Sequence, residues 1–161
     1  MKKEQEIEIP KTASRIDINI AILSIGFLLF TLIIAVNPEL LTNNILLTLE
    51  LTLTIPLLLT SCFARTKLFK TTREKLWNNF GFISFILGYG MLINVIGMFL
   101  NSFVNLKVCL IFFAANIIMA LLYSTIEVLE NKRKLASRFY KDAFFIILLI
   151  LGGILPSLGL Y

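Results

Sequence analysis

The chain has 161 residues, 58% of them apolar and 16% charged, with a formal charge of +5 and no histidine. A soluble domain carries about a quarter charged residues, whereas here apolar residues come in runs of roughly twenty, long enough to cross about 30 Å of hydrocarbon. That excludes disorder and a soluble fold, and the missing histidine excludes Ser-His-Asp and Cys-His mechanisms, the usual zinc and haem sites and any His-based proton switch.

In chain order, residues 1–17 form a mixed-charge tail, read as a loosely ordered cytoplasmic segment that is retained, since a signal peptide has a short basic region directly before a shorter apolar core. Glu4, Glu6 and Glu8 alternate there with Ile7 and Ile9, a pattern able to add an edge strand to a partner. Residues 18–161 are expected to make one transmembrane domain. Its apolar stretches predict spans at about 18–36, 41–64, 80–100, 104–126 and 143–161. The connections Asn37-Pro38-Glu39-Leu40 and Asn101 to Asn105 are short and rich in turn formers. Spans one and two, and spans three and four, are therefore read as antiparallel hairpins.

The other two connections are longer and basic. Residues 65–79 carry Arg65, Lys67, Lys70, Arg73 and Lys75, and residues 127–142 carry Lys132, Arg133, Lys134, Arg138 and Lys141. With Lys2, Lys3, Lys11 and Arg15 of the tail, all basic residues but Lys107 fall on one side. The positive-inside rule then puts the N-terminus and both basic loops in the cytoplasm and the C-terminus outside. Trp77, Tyr140 and Tyr161 sit at span ends, where aromatic belts anchor a protein at the interface. Cys62 and Cys109 fall near opposite faces in this topology, too far apart for a disulfide.

Overlaying the hairpins with an offset of 64 aligns Ile25-Gly26-Phe27-Leu28 with Tyr89-Gly90-Met91-Leu92, a weak repeat of the kind found in transport folds. Span five has no counterpart. Its apolar composition, with Gly152, Gly153 and Pro156 as close-packing or kink positions, marks it as the most lipid-exposed helix. In the second basic loop Glu130 and Lys134 stand four apart, and Leu135, Phe139 and Tyr140 mix with Arg138 and Lys141, predicting a helix along the membrane surface. Glu127 and Glu130 are placed at a solvated helix end.

The candidate chemistry centres on Glu50, about eight residues into span two and so roughly 12 Å below its outer end at 1.5 Å per residue. Intramembrane ionisable groups usually face a bundle interior or a watery cavity. No cation stands at a similar depth in the spans, which leaves Glu50 as either a protonated hydrogen-bond donor or a carboxylate that binds a proton or cation transiently. Asn43, Glu50, Thr54 and Ser61 are spaced seven, four and seven, one helical face, and Pro56 frees the carbonyl of Thr52 nearby. Gly90, Asn94, Gly97 and Asn101 share a face of span three. Asn116 lies near the middle of span four, in a row with Cys109, Ala120, Tyr123 and Glu127, and Thr31 lies in span one. Thr31, Glu50, Thr54, Asn94 and Asn116 are thus the candidate proton or cation site, against the alternative that asparagines and small residues join helices. No metal-ligand cluster, catalytic pair or cofactor motif is legible.

In length and span count the chain is similar to the tryptophan-rich sensory proteins, but its single Trp77 departs from their aromatic-rich pattern, and no family is assigned. The expected partners are the bilayer, anionic head groups at the basic loops, and a second copy or other membrane subunits, with no nucleic acid. A non-enzymatic scaffold, assembly factor or complex subunit of a prokaryotic plasma membrane is the leading reading. The alternative is a proton- or cation-coupled transporter or channel using Glu50.

Overall fold

The computed structural model describes residues 2–68, 73–130 and 135–160, without the side chains of residues 2–12 and 137. Every regular element among them is helical: α1 (Lys2–Val36), α2 (Glu39–Asn43), α3 (Ile45–Lys67), α4 (Glu74–Phe103), α5 (Leu106–Glu130) and α6 (Leu135–Leu149), which passes through a π turn (Ile150–Ile154) into a last α turn, α7 (Leu155–Ser157). Five stretches are long and apolar enough to cross a membrane: Ala13–Val36, Ile45–Lys67, Glu74–Phe103, Leu106–Glu130 and Arg138–Ser157. The expected number of spans is present, as suits a multi-pass membrane protein.

Several boundaries move. Helix α1 does not start at Ile18 but runs back to Lys2, so residues 2–17 continue the helix of the first span. Once an apolar run has nucleated a helix, adding residues to its end costs little. Span two starts at Ile45 rather than at residue 41, because Asn44 breaks the helix: its backbone leaves the helical region at φ −123° and ψ 89°, and its side chain accepts the Leu47 N–H at 2.9 Å. That is an N-cap, satisfying one of the donors that a helix start leaves open. Asn105 caps α5 likewise, accepting from the Val108 N–H at 2.9 Å.

Helix α4 starts at Glu74, absorbing Trp77 and Asn78 from the supposed loop. Helix α6 runs from Leu135 directly into span five, so Phe139 and Tyr140 belong to that span's first turns and not to a separate surface helix; Lys134 lies outside the described residues. Nor is span five the most exposed, since α5 buries a smaller share of its apolar stretch. Its glycines explain this, as both Gly152 and Gly153 are buried. Pro156 has no N–H to give the Gly152 carbonyl, and just before it the Leu155 N–H reaches back five residues to the Ile150 carbonyl. The helix ends at Gly159, at φ +71°, with the Leu160 N–H on the Leu155 carbonyl and the Gly159 N–H on that of Pro156. That pair of bonds is a Schellman cap, which favours glycine at the left-handed position.

Two compact units result, Met1–Tyr89 and Gly90–Tyr161, and the division falls within α4, not between the two hairpins. In the first unit α3 returns antiparallel along α1, burying Leu47, Glu50, Leu51, Thr54, Leu58, Ser61, Ala64 and Arg65. These residues recur every three or four positions and so form one helical face. The helix continues unbroken through Pro56.

Candidate functional site

In the first unit, polar side chains tie three helices together at one end. Asn19 of α1 donates its Nδ2 to Ser61 Oγ of α3 at 2.8 Å, and Ser61 donates in turn to the Gly81 carbonyl of α4 at 2.7 Å. Asn19 and Ser61 are both buried. Gly81 allows the approach: a Cβ there would stand 3.0 Å from Ala64 Cβ and 3.8 Å from Arg65 Nε. One turn further along α3, Arg65 donates from Nη1 to Asn78 Oδ1 at 2.9 Å and is 5% exposed. Replacing Ser61 by valine is expected to lower stability by about 1–2 kcal/mol, since it strands a buried amide and a backbone carbonyl. The thermal midpoint of the detergent-solubilised protein reads this, and an unchanged midpoint would count against the tie.

Glu50 lies on the same buried face of α3, 4% exposed, with Thr54 one turn on at 0%. The Thr54 hydroxyl donates to the Glu50 carbonyl at 2.8 Å, so it is turned onto its own helix. With the helix starting at Ile45, Glu50 is about five residues from its end, roughly 7.5 Å rather than 12 Å. Asn43 drops out of the polar stripe because it sits in α2, exposed. Thr31 is exposed as well, its hydroxyl donating to the Phe27 carbonyl at 2.9 Å.

In the second unit, the expected face of α4 packs against α5 and α6. Asn94, fully buried, donates to the Leu148 carbonyl at 3.2 Å, and Asn101 donates to the Ser157 carbonyl at 3.1 Å. Between them Gly97 accepts the buried ring of Phe113, which also lies against Gly153 of the π turn. Cys109 Sγ meets Ser157 Oγ at 3.4 Å. Asn116 is only half-buried and donates to the Phe112 carbonyl of its own helix at 2.9 Å. Glu127 is not at a solvated end: it is 17% exposed and forms an ion pair with Arg138, whose guanidinium lies 5.3 Å from the centre of the Tyr123 ring.

Of the candidate residues, Glu50 and Thr54 are therefore buried on one face of the first unit and Asn94 is buried in the second. Thr31 and Asn116 each direct their hydrogen bond to their own helix. Trp77 is half-buried and meets Phe80 edge to face at 6.2 Å, Tyr140 is 73% exposed, and Tyr161 lies outside the described residues. Among the described residues no three His, Cys, Asp or Glu side chains come together as a metal site. Asn19 and Arg65 are functional candidates that composition hides, one as an isolated amide and the other as a loop charge. Spacing exposes Arg65, which continues the Glu50, Thr54, Leu58 and Ser61 face by one more turn. No protein-family model, curated protein or solved structure matches the chain.

Proposed function

We propose that this is a small multi-pass membrane protein with a non-enzymatic role, as a scaffold, assembly factor or complex subunit. The observation that carries this reading is the use of span polar groups: Asn19, Ser61, Asn94 and Asn101 all bridge helices within their own unit. Hydrogen bonds of this kind hold helices together where lipid supplies no hydrophobic drive. The basic loops support a topology with N-terminus and both loops in the cytoplasm and the C-terminus outside, and a prokaryotic plasma membrane is the proposed location. Anionic head groups and a second copy or other membrane subunits are its proposed partners.

One observation favours a second reading, in which Glu50 carries a proton or cation: a carboxyl group 4% exposed in a helix able to cross the membrane. Proteoliposomes decide between the two. With an imposed pH or potassium gradient, wild type and Glu50→Gln are expected to leak no faster than protein-free liposomes. A wild-type flux that disappears in Glu50→Gln would replace the scaffold reading with transport.

A further inference from the structure

The polar tie of the first unit is built in two tiers. The inner tier is Asn19, Ser61 and the Gly81 carbonyl, joined by hydrogen bonds. Helices α1 and α3 are antiparallel, so stepping four residues back from Asn19 and four forward from Ser61 leads toward the same end, to Arg15 and Arg65. Three residues back from Gly81 is Asn78, already hydrogen-bonded to Arg65. By register the outer tier therefore brings together two guanidinium groups and one amide.

Among the described residues no carboxylate pairs with this tier. Among the described residues Arg65 forms no ion pair, and its Nε has no hydrogen-bond partner. The nearest carboxylates by register, Asp17 and Glu74, are exposed and do not pair with it. A buried charge ordinarily has a counterion, because desolvation without one costs several kcal/mol. Among the described residues the charged side chain that register places beside it, Arg15, has the same sign. The tier also lies near the end of a span, a few residues from the Trp77 and Phe80 pair, the depth at which aromatic rings and head groups meet.

We propose that Arg15, Arg65 and Asn78 bind the phosphate group of an anionic ligand at this end of the first unit. Arg65 fixes the position, since its side chain is held by Asn78 and by the flat backbone at Gly81. Exposed Arg15 closes over the phosphate from α1. Guanidinium groups suit this because their forked donors match phosphate oxygens in pairs, and basic pockets between spans take lipid head groups in the same way. The inference does not depend on whether the protein is a subunit or a transporter.

Native mass spectrometry of the full chain in detergent, with phosphatidylglycerol against phosphatidylcholine, tests it. Wild type is expected to retain phosphatidylglycerol in preference. Arg15→Gln, at an exposed position with no side-chain hydrogen bond among the described residues, is expected to weaken that preference about five-fold, the effect of one basic residue at head-group level. Arg65→Gln should weaken it further, and if that variant does not fold, Arg15→Gln carries the test. A second arm compares the thermal midpoint in inorganic phosphate and in chloride at equal ionic strength. Phosphatidylglycerol retention without an effect of inorganic phosphate assigns the site to a head group; stabilisation by inorganic phosphate that displaces the lipid assigns it to the phosphate group from either source. Equal retention of both lipids with no phosphate effect, or an unchanged preference in Arg15→Gln, would overturn the proposal.

Discussion

Gly153→Ala is expected to destabilise the second unit by about 1–3 kcal/mol, the usual cost of forcing extra volume into a filled core. A Cβ at Gly153 would run into the ring of Phe113 and stand 2.6 Å from Asn94 Oδ1, both under the closest distance that real Cβ atoms keep. Neither neighbour can yield easily. Phe113 is 1% exposed and is held on its other side by Gly97, while Asn94 is fixed by its bond to the Leu148 carbonyl. The effect should therefore be reversed in part by Phe113→Leu in the same chain, which returns space beside the new methyl. Thermal midpoints of wild type, single and double variants give the answer; an unchanged midpoint in Gly153→Ala would mean that the ring is free to move.

The second large effect concerns Glu50. Glu50→Gln keeps the volume and hydrogen-bonding atoms of a neutral carboxylic acid, so folding and yield should stay near wild type. Glu50→Lys should sharply reduce the yield of monodisperse protein, because it places a cation on a face whose other members include Leu47 at 0% and Leu51 at 1% exposure. The insertion cost of a lysine at a span centre, roughly 2.5–3.5 kcal/mol, is the upper limit for a position this near the helix end. Gel filtration of the two variants against wild type measures this. A lysine variant as well folded as the glutamine one would show that the position has access to water.

The number of helices and the inward face of α3 were legible because apolar run length and a three-to-four-residue period are direct consequences of helix geometry. The steps of four, three and four residues through Gly90, Asn94, Gly97 and Asn101 likewise predict a packing face. Helix ends were not legible from apolarity alone. The apolar run marks where lipid contact stops, whereas α1 and α4 continue into polar sequence because nothing there stops the backbone hydrogen bonding. Apolarity places Asn44 inside span two, whereas it is the cap that starts the helix, and its side-chain bond to Leu47 is what reveals this. Arg65 was hidden for a related reason: counting charges for orientation treats each as solvated, and this one is buried by a neighbouring helix that starts earlier than apolarity suggests.

The division within α4 has a consequence for synthesis. Chains emerge from the ribosome N-terminus first and domains generally form in that order. The first hairpin, α1 with α3, is complete once Lys67 has been made, yet the Ser61 hydroxyl has its carbonyl acceptor only after Gly81 has followed, and Arg65 its amide only after Asn78. Until then a serine and an arginine of the newborn hairpin depend on water, head groups or the insertion machinery. The opening turns of α4 thus supply the last polar partners of the first hairpin, and a pause in translation before residue 78 is expected to leave that hairpin formed without them.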